Sequence, residues 1–221
     1  MFEHIDWNKV SREYWKSGDS HVVIDDFMTR QGAIRLQDEL IRNQMWRLKN
    51  PISKHLHNTR PKTDMAVRVV EALETPIRRN FGRQYRLAEY WALLYAKNTD
   101  GNVHADFGDL TITYWLTPDR YNLDRETGGL VLYDARRPAD MPFSAYLASG
   151  EASRAYVGEH ARQAPVVIPY RFNRAILFNP SIFHKSNRPH FDLSHPSRMR
   201  MNMTFSFRDP EETRRQMEMV R

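Results

Sequence analysis

The chain has 221 residues, 41% of them hydrophobic and 12% aromatic. That is enough apolar material for one folded domain and too much for a disordered segment. There is no cysteine, which excludes disulfides, iron–sulfur clusters and thiolate chemistry; any metal must sit on His, Asp or Glu. The formal charge is +6, but the Arg clusters (Arg78-Arg79, Arg136-Arg137, Arg214-Arg215) are interleaved with Asp and Glu. They read as solvated surface rather than a nucleic-acid footprint. No run approaches the roughly 18 apolar residues of a membrane span. The opening MFEHIDWNKVSREYW has no apolar signal core, so a cytoplasmic location is expected.

In chain order, residues 1–88 read as a mainly helical support. Residues 21–27 form a short β-rich run. Thr29 is an N-cap before an apolar stripe of spacing three and four over 33–41, which predicts a helix. Pro51 and Pro61 bound a predicted loop. Met65, Val69, Leu73 and Ile77 recur every fourth residue over 64–80, predicting a second amphipathic helix that Pro76 bends or ends. From residue 89 the texture changes. Short β-rich runs at 89–96, 110–117, 129–134, 165–170, 174–178, 182–184 and 198–207 are separated by Gly, Pro and Asn turn signals. Helices followed by many short strands predict a double-stranded β-helix, a cupin-like jelly roll over 89–208, buttressed by helices. Residues 136–164 interrupt it, either as a lid over the substrate mouth, with Tyr146, Tyr156 and His160 available for contact, or as cover for a sheet edge.

The chemistry-bearing residues lie in the β-rich part. His104-Ala105-Asp106, taken as a strand, projects an imidazole and a carboxylate to one side. His184 closes an apolar run and is expected to face the same cavity. Two imidazoles and one carboxylate on one face of an iron leave three positions open for exogenous ligands. Asp109 is the rival carboxylate, at an odd offset. His55 and His57 have ligand-like spacing but read as surface residues of the Pro-bounded loop, and His190 and His195 as solvated. On the final run Arg198, Arg200, Asn202, Thr204 and Ser206 share one face, opposite Met199, Met201, Met203 and Phe205. A polar face of this kind needs partners if buried. A guanidinium matches a carboxylate with a planar fork of donors, so a bound dicarboxylate would supply one.

These segments resemble the Fe(II)/2-oxoglutarate-dependent dioxygenase superfamily over residues 89–208. The resemblance is carried by YWLTPD at 114–119, GGLVLYD at 128–134, IPYRFNRAILF at 168–178, FHK at 183–185 and RMNMTF at 200–205. It implies an enzyme with Fe(II) on His104, Asp106 and His184, 2-oxoglutarate and O2 as cosubstrates, and Arg200 on the far carboxylate of 2-oxoglutarate, with Arg198 in reserve. It also implies that Tyr95 either reaches the cosubstrate or packs in the core, and that Asn202 touches it. Thr113 and Trp115, inward on the strand after the metal pair, line that pocket or merely pack. The implied reaction is hydroxylation of an unactivated C–H of a small molecule, amino acid, peptide or natural-product intermediate, releasing succinate and CO2. Related halogenases replace the metal carboxylate by a small residue; Asp106 favours hydroxylation. Two other readings stand beside this one. Nucleic-acid demethylases of the AlkB type share the last strand but carry a second Arg six positions on, where this chain has Ser206, so nucleic acid is not the expected partner. A non-catalytic jelly-roll module holding a metal or an acid is the other. Substrate contacts cannot be named from the sequence.

Overall fold

A computed structural model describes residues 1–18, 20–43, 46–50, 55–138, 141 and 150–211. Its elements are α1 (Trp7–Lys16), β1 (His21–Ile24), α2 (Arg30–Arg42), β2 (Arg47–Asn50), β3 (His55–Thr59), α3 (Asp64–Asn80), β4 (Arg86–Tyr95), β5 (Leu110–Trp115), β6 (Leu130–Arg136), α4 (Gly150–His160), β7 (Val166–Ile168), β8 (Ala175–Phe178), β9 (Ile182–Ser186) and β10 (Met201–Arg208). The major sheet has the order β1-β8-β5-β10-β4-β3-β2, and the minor sheet β7-β6-β9. Every strand pair is antiparallel. Residue 104, outside the named strands, bridges to His184 on β9 and extends the minor sheet. From β7 to β10 successive strands alternate between the two sheets, and side chains of both sheets meet in one apolar cluster, in keeping with the jelly roll expected from the texture of residues 89–208.

Alternation along each central strand sorts the core into two layers. Leu110, Ile112 and Tyr114 of β5 and Met201, Met203, Phe205 and Phe207 of β10 pack against the helices, with Leu36, Leu40, Val69, Leu73 and Ile77. The opposite faces of β5 and β8 bring Trp115, Ile176 and Phe178 against Leu130, Leu132, Ile168 and Ile182 of the minor sheet. With side chains repeating every second residue, β10 therefore sends Asn202, Thr204 and Ser206 into the space between the sheets. All three are buried.

The N-terminal region is less purely helical than expected. Thr29 caps α2 by accepting from Gly32 N–H at 3.2 Å. Residues 55–59, read as part of the loop bounded by Pro51 and Pro61, instead form β3, which together with the preceding β2 extends the major sheet beyond β4. Proline there marks only the ends of the runs, and pairing to β4 supplies the order that local sequence does not. Pro76 does not end α3, because Ile77 continues the buried stripe for another turn. Asn173, at φ 64, joins the two parts. Its side chain accepts from Met28 N–H (3.1 Å) and Tyr114 O–H (2.6 Å) and donates to Met28 O (2.7 Å).

Within the 136–164 insertion, residues 142–149, Tyr146 among them, lie outside the described residues. The described helix α4 packs Val157 and Tyr156 against Val103, Ala105 and Phe183, on the outer face of the minor sheet. Tyr156 stacks on His160 at 3.9 Å.

Candidate metal centre and anion pocket

His104 and His184 lie directly opposite each other on adjacent extended segments. The His104 N–H donates to His184 O at 3.0 Å and the His184 N–H to His104 O at 2.7 Å. Asp106 N–H donates to Pro180 O at 2.9 Å, keeping the segment extended. Residues 104 and 106 consequently project to one side, while Val103 and Ala105 project to the other, under α4. The ligand atoms of His104, Asp106 and His184 all lie within 4.8 Å of one another. The His rings are 4.4 Å apart. His184 sits within β9 rather than at its end.

The hydrogen bonds around the rings select the donor atoms. His104 Nδ1 lies 2.8 Å from Asn102 O, and His184 Nδ1 lies 2.8 Å from Ile182 O. A carbonyl can only accept, so each Nδ1 carries a proton and the lone pair of a neutral ring is left on Nε2. Both Nε2 atoms face Asp106, at 3.7 Å for His104 and 3.4 Å for His184. Burial pushes the Asp106 carboxyl up, but its hydrogen bond with His184 and the neighbouring charges of His104 and His184 outweigh it and hold the pKa at about 2. Burial, and then the adjacent His184, lower the pKa of His104, against the pull of Asp106 and the Asn102 carbonyl. The result is an ionised carboxylate between two imidazoles, with burial disfavouring the charged form of His104. A proton shared between Asp106 and His184 satisfies part of this arrangement, whereas a divalent cation satisfies all three donor atoms at once. The donor set fits a non-haem iron, and the carbonyls on Nδ1 orient the rings as outer-shell partners of metal histidines do.

Farther into the space between the sheets is a buried cation. Arg200, 2% exposed, immediately precedes β10. Its Nε donates to Gly128 O (2.5 Å), Nη1 to Asn202 Oδ1 (2.9 Å) and Nη2 to Gly129 O (3.4 Å). The guanidinium lies 4.3 Å over the Tyr95 ring. Among the described residues no carboxylate pairs with it, and one hydrogen on each Nη remains uncommitted. A buried, uncompensated guanidinium is costly; an incoming carboxylate would complete it. The wall beside it is polar too: Asn202 Nδ2 donates to Thr204 Oγ1 (3.2 Å), which contacts Thr113 Oγ1 (3.3 Å). Trp115 Nε1 and Thr111 Oγ1 are buried without a hydrogen-bond partner.

Tyr95, Thr113, Trp115 and Asn202 thus gather with Arg200 on the inner face of the major sheet. Tyr95 is buried, and its hydroxyl is 2.6 Å from Ser186 Oγ. Arg198 is a correction: β10 starts only at Met201, so Arg198 does not share the strand face. It pairs with Asp192 at 3.0 Å on the surface instead. Asp109 accepts from Asp209 N–H and stays out of the triad. His55 and His57 fall in β3, paired with Tyr95 and Leu93 in register, and their side chains lie outside the described residues. Sequence reasoning overlooked Gly128 and Gly129 as acceptors for Arg200. The paired glycines were the available signal: a Cβ on Gly129 would stand 1.9 Å from Ile168 O.

Comparisons with known proteins bear on the fold. No family model matches the chain, and no curated protein matches it in sequence. Solved structures do match in three dimensions. A Pseudomonas putida prolyl-4-hydroxylase aligns over 91% of this chain and 98% of its own, at 12% identity and a TM-score of 0.63. HygX from Streptomyces hygroscopicus, solved with nickel and 2-oxoglutarate bound, aligns over 90% and 87%, at 13% and 0.58. SnoK, a non-haem α-ketoglutarate-dependent carbocyclase of nogalamycin biosynthesis, aligns over 93% and 89%, at 12% and 0.63. The chain has the fold of the 2-oxoglutarate/Fe(II) oxygenases. Within that oxygenase fold, His104, Asp106 and His184 line the side of the minor sheet that faces Asn202 and Thr204. No helix among the described residues is long and apolar enough to cross a membrane.

Proposed function

We propose that the chain is a 2-oxoglutarate-dependent non-haem iron oxygenase that hydroxylates an unactivated C–H bond of a small molecule, amino acid or peptide. One observation carries the reading. The same inter-sheet space holds a three-donor centre of two imidazoles and a carboxylate and a buried guanidinium with two uncommitted donors and no acid partner. A metal site alone would not need that cation, and a simple acid-binding site would not need the triad.

Iron with 2-oxoglutarate and O2 supplies the oxidising chemistry, in which the keto acid loses CO2 to become succinate and the substrate gains an oxygen. The protein binds, orients and shields. His104, Asp106 and His184 would hold the metal, with Asn102 and Ile182 keeping both Nε2 atoms turned toward it. Arg200, braced by Gly128, Asn202 and the Tyr95 ring, would fix the far carboxylate and so aim the keto-acid end at the metal. The apolar cluster of Trp115, Leu130, Leu132 and Ile176 keeps water from the inner end of the space. Asp106 occupies the position that a halogenase leaves to a halide, which favours oxygen transfer. A carbocyclase stands among the structures of this fold, so the product must be identified as well as succinate.

The test is anaerobic reconstitution with Fe(II) and 2-oxoglutarate, followed by O2 and a metabolite and peptide screen. The expected result is a weak visible absorption that only the ternary complex gives, then succinate and a product one oxygen atom heavier than its substrate. Succinate with a dehydrogenated or cyclised product would replace hydroxylation by another oxidation. Absence of both the absorption and succinate would overturn the reading.

A further inference from the structure

We infer that Trp115 is a specificity-determining residue of this pocket, its indole N–H donating to the same far carboxylate that Arg200 holds. The inference rests on the reading of the pocket as a keto-dicarboxylate site. Trp115 is wholly buried, yet its Nε1–H has no acceptor. An indole N–H can only donate, and buried Trp side chains ordinarily find a partner for it. The surroundings cannot supply one: the ring stacks on Tyr170 at 5.1 Å and sits among Leu130, Ile176 and Phe178. The Tyr170 hydroxyl is already committed, donating to Thr117 O (2.6 Å) and accepting from Thr117 N–H (2.8 Å).

The strand register and one hydrogen bond give Trp115 and Arg200 a common neighbour. Trp115 pairs directly with Asn202, whose Oδ1 accepts from Arg200 Nη1. Trp115 and Arg200 therefore flank Asn202 on the inner face. The donors left over at this end, two on Arg200 and one on Trp115, are matched by a group that only accepts. A carboxylate is such a group. Arg200 supplies the charge, and Trp115, rigid in its stack, would fix the plane of the carboxylate and the depth at which it stops.

The experiment follows the indole itself, in Zn(II)-loaded protein, where binding is read without turnover. In a spectrum of the five Trp indole N–H groups, the Trp115 signal, identified by its loss in Trp115→Phe, should move downfield when 2-oxoglutarate is added. Trp115→Phe should weaken 2-oxoglutarate binding by about 10- to 150-fold, as expected for one donor lost to a charged acceptor, with Zn(II) affinity unchanged. If Trp115→Phe fails to fold, the wild-type signal, assigned by elimination from the other four Trp variants, still decides. A Trp115 signal that stays put while 2-oxoglutarate binds and Arg200→Ala weakens that binding would overturn this inference and leave the pocket reading intact. If 2-oxoglutarate does not bind, or binds equally well to Arg200→Ala, the pocket reading itself falls, and this inference with it.

Discussion

At the scale of single residues, Arg200 separates a 2-oxoglutarate enzyme from any other protein with the same triad. A charged hydrogen-bonded pair contributes roughly 1.5–3 kcal/mol, so Arg200→Ala should weaken 2-oxoglutarate binding about 10- to 150-fold with metal affinity retained. Arg200→Lys should recover only part of this, because an ammonium cannot keep Gly128, Asn202 and the ligand in one plane. Titration calorimetry on the metal-loaded variants measures both. Arg198→Ala is the control: its partner is the surface carboxylate of Asp192, and the affinity should change by less than about threefold. His184→Ala should lose the metal, and with it the ternary absorption. Retention of that absorption would remove His184 from the triad.

At the scale of elements, Asn173 ties the helical part to the jelly roll, and its conformation and side chain can be separated. Asn173→Ala loses the three bonds to Met28 and Tyr114 and places an alanine at φ 64. We expect a loss of about 2–4 kcal/mol. Asn173→Gly loses the same bonds but accepts the backbone angle, so it should be about 1 kcal/mol less damaging. Urea denaturation of both variants checks this; equal losses would mean that the backbone angle costs nothing. The paired strands β2 and β3 show why elements were harder to read than residues. Pro51 and Pro61 are strong local punctuation, whereas β3 between them forms on the edge of β4, and β2 before them on β3, pairings that no local pattern reports.

At the scale of the molecule, ligand binding and stability are linked. Metal and 2-oxoglutarate bind only the folded chain, so each should raise the melting temperature. At a hundredfold excess over the dissociation constant the gain is about 2.7 kcal/mol, or about 5–10 °C for a chain of this length. At the same ligand concentration Arg200→Ala, binding about 10- to 150-fold more weakly, should keep only about 0.3–1.4 kcal/mol of the 2-oxoglutarate increment, while the increment from the metal remains. A second whole-molecule effect lies far from the site. Arg174 makes a two-pronged contact with Asp25 at 2.6 and 3.0 Å, joined by Arg171 at 2.9 Å, linking the end of β1 to the turn before β8. The hydrogen bond from Arg174 lowers the Asp25 pKa, with burial opposing and the charges of Arg174 and Arg171 assisting. A carboxylate whose folded pKa is depressed stabilises fully above its unfolded value, about 3.9, and loses that contribution as pH falls through the folded value. Wild type should exceed Asp25→Asn by about 1 kcal/mol at pH 7, a modest figure because the pair is partly solvated. The gap should close below about pH 4 in thermal melts.

The sequence by itself determined the fold class and the identity of the chemically suggestive residues. Alternation on the last strand separated Asn202, Thr204 and Ser206 from Met201, Met203 and Phe205. The i, i+2 spacing of His104 and Asp106 put them on one side of the chain, because strand side chains alternate whatever the strand pairs with. What only the tertiary structure decided were relations between distant segments. His184 lies opposite His104 because of an antiparallel bridge, and Ile182 O and Asn102 O select the ring nitrogen that faces Asp106. Arg200 and Arg198, indistinguishable on the sequence pattern, part company because β10 begins at Met201 and the turn before it carries Arg198 outward to Asp192. The helix α4, read as either lid or cover, packs on the outer face of the minor sheet because Val103, Ala105 and Phe183 present an apolar surface there. Such outcomes depend on pairing and burial between segments, 80 residues apart in the case of His104 and His184, and local periodicity carries no information about which segment will be the neighbour.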